Sequence, residues 1–151
     1  MFRGANKVTL DAKGRMAMPA RYRDTLVERS EGRLVATVDR ADRCLLIYPL
    51  PDWEEIERKL MRLPTLNPQA RRLQRLMVGH ATDLELDSHG RVLVPPKLRE
   101  YAGLTRQAML IGQGSRFELW DELHWNERRD AWLQEGEEPG ELPAELGQLS
   151  L

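Results

Sequence analysis

The stretch DAKGRMAMPARYR, residues 11–23, returns further along the chain as DSHGRVLVPPKLR, residues 87–99. Asp11, Gly14, Arg15, Pro19 and Arg23 recur as Asp87, Gly90, Arg91, Pro95 and Arg99, each pair at one offset (87 − 11 = 76). An internal repeat makes each half one supersecondary unit, so it decides the fold. An alternating segment leads into each copy, KVTL at 7–10 and DLEL at 83–86. Period-two alternation predicts a half-buried strand. Asp-x-x-Gly then makes a turn: the carboxylate accepts backbone N–H groups two or three residues on, and glycine supplies the positive φ that closes a hairpin. Second strands follow at 15–18 and 91–94. Pro19 and Pro95–Pro96 stop them and suit the first turn of a helix. Those helices are expected over 20–28 and 96–101, the latter ended by Gly103.

Two more strands complete each half, 33–38 with 44–48 and 108–111 with 117–120, and an amphipathic helix follows both pairs. Trp53, Ile56 and Leu60 line one helix face; Trp125 and Trp132, seven apart, line the other. These tryptophans and Trp120 read as core or subunit contacts, not base-stacking platforms. Tyr48…Trp53 and Trp120…Trp125 keep one spacing at an offset of 72 (120 − 48), so the first half has gained four residues, at 30–33 or in the loop 40–43. A connector over 63–80, broken by Pro64 and Pro68, carries a helix with Ala70, Leu73, Leu76 and Met77 inward and Arg71, Arg72 and Arg75 outward. The organisation expected is a first repeat over 5–52, a helical connector over 53–80, a second repeat over 81–124, and a C-terminal helix with acidic tail over 125–151. The fold class is α+β.

With 151 residues the chain fits one compact domain or two very small ones. A single half buries too little apolar surface to stand alone, and duplication supplies its partner at high effective concentration. The net charge of −1 points to no partner, but the charge is segregated. Residues 1–23 hold Arg3, Lys7, Lys13, Arg15, Arg21 and Arg23 against Asp11 alone, while no Lys or Arg follows Arg129. Cys44 is the only cysteine, which rules out an intrachain disulfide and a zinc-thiolate cluster; a small buried thiol in a reducing cytosol is expected. No apolar run has the length of a signal peptide core or a membrane span, so the expectation is a soluble, cytoplasmic protein.

Catalysis finds no footing. His80, His89 and His124 lack metal-ligand spacing, and the nucleophile-elbow, P-loop and dinucleotide signatures are absent. An Asp11–Asp87 dyad is disfavoured, because an Arg four residues after each carboxylate works against a shared proton. No metal, cofactor, small-molecule substrate or membrane partner is expected.

Asp-x-x-Gly-Arg-x-x-x-Pro-x-x-x-Arg between short strands and a helix resembles the SpoVT/AbrB superfamily of small β-rich DNA-binding modules. Two copies in one chain opening Met-Phe-Arg-Gly, with YPLPDWEEIE, NPQARRLQRLMVGHA and FELWD, closely resemble the MraZ family from Met1 to about Trp132. The resemblance implies two tandem swapped-hairpin half-units forming one pseudo-twofold, β-barrel-like core with flanking helices. It implies a nucleoid-associated transcriptional regulator of its own cell-division and cell-wall operon, binding double-stranded DNA at short G-rich direct repeats as a ring-shaped homo-oligomer. The family's Asp-x-x-x-Arg element falls on Asp11 and Arg15, and again on Asp87 and Arg91.

The Asp and Arg of each motif could simply pair within a hairpin turn; a turn that fixes an arginine also makes a good reader. A guanidinium fork matches phosphate oxygens or the O6/N7 edge of guanine. Charge separates the copies. Arg3, Lys7, Lys13, Arg21 and Arg23 surround the first; Asp83, Glu85 and Asp87 surround the second, with His89 where the first has Lys13. An acidic approach repels the DNA backbone. The candidate DNA-binding residues are therefore Arg15, Lys13, Arg3, Asp11, Gly14 and Lys7, while Asp87, Gly90 and Arg91 read as mainly structural. Arg71, Arg72 and Arg75 are a solvated face, a further phosphate contact or a seat for a neighbouring subunit. The competing reading is a ring scaffold whose basic face binds protein, distinguished by salt-sensitive retention on DNA.

Overall fold

A computed structural model describes residues 1–135; the tail expected beyond Glu135 lies outside the described residues. In chain order the elements are β1 (Phe2–Thr9), β2 (Arg15–Ala17), α1 (Ala20–Ser30), β3 (Arg33–Val38), β4 (Leu45–Pro49), α2 (Leu50–Met61), α3 (Pro68–Met77), β5 (Thr82–Glu85), β6 (Arg91–Leu93), α4 (Pro96–Tyr101), β7 (Gln107–Gly114), β8 (Arg116–Asp121) and α5 (Glu122–Glu135). Six strands form one antiparallel sheet in the order β1-β7-β8-β4-β3-β5, and β2 pairs with β6 in a separate ribbon.

That order reads the same from either end once each strand is exchanged for its counterpart in the other half. The first strand of each half has left its own unit: β1 pairs with β7, and β5 with β3. The Asp-x-x-Gly turns close as expected, but the strands they join diverge. After the single Leu10↔Met16 bridge, β1 enters the large sheet and β2 crosses to β6. The pseudo-twofold passes through the middle pair of the ribbon, Met16↔Val92, and the middle pair of the sheet, Leu46↔Glu118. The barrel-like core expected from the sequence is not a closed barrel: β1 and β5 remain as sheet edges.

Strand register locates the four extra residues of the first half. Thr9↔Gln107 and Arg33↔Glu85 are equivalent pairs, so β3 and β7 stand at an offset of 74 (107 − 33), while Leu46↔Glu118 sets 72 for β4 and β8 (118 − 46). Two residues were gained between Arg23 and Arg33 and two in the β3–β4 loop, so the insertion is divided between the two sides of β3.

Alternation along the strands feeds two apolar clusters. Leu34, Ala36, Leu45, Ile47, Leu110 and Phe117 face inward onto Met16, Met18, Leu26, Val92 and Leu98 from the ribbon and from α1 and α4. Val35, Leu46 and Tyr48 face the other way, onto Trp53 and Leu60 of α2 and Leu73 and Met77 of α3. The α3 start is set by Asn67, whose side chain accepts from the backbone N–H groups of Gln69 (2.8 Å) and Ala70 (3.2 Å), with Pro68 in the first turn. On the second half, buried Trp120 meets Trp125 and Trp132 of α5 at ring distances of 5.5 and 5.8 Å.

The halves are fastened by the motif itself. Met18 donates its backbone N–H to the Gly90 carbonyl, and Val94 donates to the Gly14 carbonyl, both at 2.9 Å. Arg23 lies over Gly90 while its Nε donates to the Met18 carbonyl (2.7 Å), and Arg99 lies over Gly14 while donating to Val94 (3.0 Å). Gly14 has φ +88°, and a Cβ there would stand 2.6 Å from Arg99 Nε and 2.9 Å from the Val94 carbonyl. Glycine is required twice over, by conformation and by space. We expect Gly14→Ala to lose about 1–3 kcal/mol in a urea melt. A melt superimposable on the wild type would show that the turn tolerates a side chain.

Candidate nucleic-acid interface

Each motif turn is built around its carboxylate. Asp11 Oδ1 accepts the backbone N–H groups of Lys13 (2.9 Å) and Arg15 (2.8 Å), and Oδ2 accepts from Arg15 Nε (2.7 Å). The second turn repeats this, with Asp87 accepting from His89 (2.8 Å), the Arg91 backbone (2.9 Å) and Arg91 Nε (3.0 Å). Three donors on one carboxylate favour its ionised form. The backbone N–H of Arg15, then its guanidinium, hold the Asp11 carboxyl down to about 2, and Asp87 is lowered likewise, first by the Arg91 backbone N–H. Only Nε of each arginine is engaged. Among the described residues neither Nη of Arg15 or Arg91 has a hydrogen-bond partner, and both side chains stay about one-third exposed.

The ribbon brings these two arginines onto one surface. Met16 and Val92 point inward and are buried, so Arg15, Ala17, Arg91 and Leu93 occupy the outer face. Arg15 stands opposite Leu93, and Arg91 opposite Ala17. The arginines are thus diagonal neighbours, about 7–8 Å apart in an antiparallel pair. One turn flanks each end of this face, and Lys13 and His89, both on the turns, are close to it in sequence. What the arrangement offers is a pair of oriented guanidinium forks on a narrow two-stranded ribbon, a shape the major groove of B-DNA admits.

The other sequence candidates fall elsewhere. Arg3 lies eight residues before Asp11 on extended chain, roughly 25 Å away at the usual strand rise. Lys7 is exposed and pairs with Glu122 of α5 at 3.4 Å. Arg21 bonds the Asn6 side chain and stacks on the Tyr22 ring at 4.8 Å, and Arg23 belongs to the clasp. Arg71, Arg72 and Arg75 form an exposed row on α3. Sequence reasoning missed Ala17 and Leu93, since an exposed leucine in a buried-looking run carries no local signal. Asp39, Cys44 and Glu118 bring three potential metal-ligand atoms within 4.8 Å. Cys44 is buried, and burial, with Glu118 and Asp39 adding to it, pushes its thiol up; it donates to Asp39 Oδ2 (3.5 Å) and is satisfied as a thiol.

Fold and face together define a two-repeat binding module: a strand-exchanged β core presenting oriented arginines. A family model described as "MraZ protein, putative antitoxin-like" matches residues 1–76 and again residues 77–137, and the chain belongs to the MraZ family, a family of transcriptional regulators and not of enzymes. Proteins named "Transcriptional regulator MraZ" from Halorhodospira halophila, Thioalkalivibrio sulfidiphilus and Pseudomonas aeruginosa are 59%, 60% and 58% identical to it, each match covering all of both chains. No helix among the described residues is long and apolar enough to cross a membrane.

The turn geometry makes a pH prediction. With its pKa held at about 2, below the ordinary 3.8, Asp11 contributes stability that is full above the ordinary value and lost as pH falls through about 2. A carboxyl 13C titration should place Asp11 near 2. In Arg15→Ala it should rise but stay depressed, because the larger cause, the backbone N–H of residue 15, survives. A wild-type midpoint at the ordinary value would mean the turn does not hold its carboxylate.

Proposed function

We propose that the chain regulates transcription by laying the outer face of the β2–β6 ribbon in the major groove of double-stranded DNA. The observation that carries this reading is the pair of Asp-held arginines on one exposed ribbon face, with both Nη groups open. Arg15 reads guanine through O6 and N7, Asp11 and Gly14 set its direction, and Lys13 contacts phosphate beside it. Lys7 and Arg3, further along β1, add long-range attraction to the backbone and not base contacts.

Arg91 shares the face but is the weaker reader, because the second copy carries Asp83, Glu85 and His89 where the first has Lys7, Thr9 and Lys13, with Gly90 and Asp87 mainly structural. The repeats over 5–52 and 81–124 act as one reading unit, with the connector over 53–80 and the C-terminal segment from 125, which holds most of α5, flanking it. A lone ribbon makes few contacts, so a ring-shaped homo-oligomer engages successive G-rich direct repeats, gaining avidity without new contacts. The resemblance to the MraZ family supports placing those repeats upstream of the chain's own cell-division and cell-wall operon. A protein so occupied sits on the nucleoid.

Gel-shift titrations test this. Arg15→Ala should cost about 1–3 kcal/mol per reading unit, the worth of one bidentate guanine contact, and with several units engaged should abolish binding while the protein stays folded. Arg91→Ala should cost less. Equal losses would mean that both copies read DNA alike. Affinity should also rise steeply as repeats are added and fall with salt at about −0.9 log units per phosphate contacted. One repeat bound as tightly as several would remove the array.

A further inference from the structure

On its outer face the ribbon's two-fold is broken at one apolar position. Leu93 stands directly opposite Arg15, and the site related to it by the 76-residue offset (93 − 76 = 17) is Ala17, opposite Arg91. Leu93 is 52% exposed, although its ribbon neighbours Val92 and Val94 are 1% and 0% exposed. No part of the chain's described fold covers it. A leucine there does nothing for the core, which the ribbon supplies through Met16 and Val92 instead.

Resting on the DNA-binding reading above, we propose that Leu93 is a specificity-determining residue, packing on the C5-methyl group of a thymine next to the guanine read by Arg15. The geometry points there. Cross-strand partners have Cβ atoms about 4.5–5.5 Å apart, so a fork placed on a guanine edge brings the opposite side chain over an adjoining base pair. In the major groove the only apolar feature of any base pair is the thymine methyl. Ala17, with a single methyl, reaches less far beside Arg91. The ribbon therefore presents Arg15 with a large apolar companion and Arg91 with a small one. A pseudo-symmetric reader with unequal ends prefers one orientation on DNA, as direct repeats need and palindromes do not.

The test uses the full chain and duplexes selected from random DNA by the wild-type protein, each thymine being replaced in turn by deoxyuridine, which removes only the methyl. Wild-type affinity should fall at one thymine position next to a guanine, by about fourfold per reading unit, the factor one buried methyl group is worth. Leu93→Ala should bind the unmodified duplex more weakly and be indifferent to uridine at that position, with near-UV circular dichroism and assembly size unchanged. No uridine-sensitive position for the wild type, or a selected site with no thymine beside its guanines, would overturn the proposal without any variant. So would Leu93→Ala retaining full affinity or full uridine sensitivity, or changing the assembly size, which would make Leu93 a subunit contact. Failure of the wild type to select any DNA would instead bring down the DNA-binding reading itself.

Discussion

The rest of the structure depends on the reciprocal bond between each turn glycine and the strand end of the other half. Met18 to Gly90 and Val94 to Gly14 are two ordinary backbone hydrogen bonds. They hold because Arg23 and Arg99 close over the same glycines. Neither half can make its own version of this clasp. A half alone would have an unpaired β2 or β6, an empty flank where the exchanged strand belongs, and an uncovered Met16 or Val92. Duplication in one chain makes that mutual dependence intramolecular, so it needs no second molecule. All five residues of the repeated motif are accounted for: Asp and the first Arg build the turn, Gly admits the other half, Pro starts the helix, and the second Arg locks the turn across the axis.

The same clasp positions the proposed reading surface. Because the turns are fixed by contacts from opposite halves, the ribbon between them cannot shift without breaking both ends. Arg15 is held by Asp11 at Nε and at its backbone, where Asp11 Oδ1 accepts the Arg15 N–H and the Asp11 N–H donates to the Arg15 carbonyl, so its fork is ordered before any partner arrives, and less freedom remains to be lost on binding. The carboxylate that orders it also takes away part of its charge. Such an arginine is better suited to the planar donor-acceptor pattern of a base edge than to bulk attraction for phosphate, a role that suits a lysine.

Much of this was legible in the sequence. The repeat, the turn chemistry of Asp11 and Asp87, and the strands and helices of both halves follow from local rules. Strand partners do not, because period two shows that a segment is a strand and not which strand it joins. The N-terminal part of β1 was hidden for a related reason. Only Phe2 and Val8 along it are buried, so Arg3–Asn6 shows no alternation, and its extension comes from pairing with β7. The arginines Arg23 and Arg99 were visible as repeats, but their role lies across the axis, where no local pattern reaches. The charge contrast between the copies was readable, whereas the placing of Arg15 and Arg91 on one face required the ribbon.

The central claim, that this face reads bases in the major groove, is tested most directly by dimethyl sulfate footprinting of the bound repeats. The reagent methylates guanine N7 in the major groove and adenine N3 in the minor groove. With the Arg15 fork on a guanine edge, bound protein should protect guanine N7 in each repeat, leaving adenine N3 reactive. Guanine N7 atoms that stay fully reactive under a saturating complex, or protection confined to adenine N3, would contradict it.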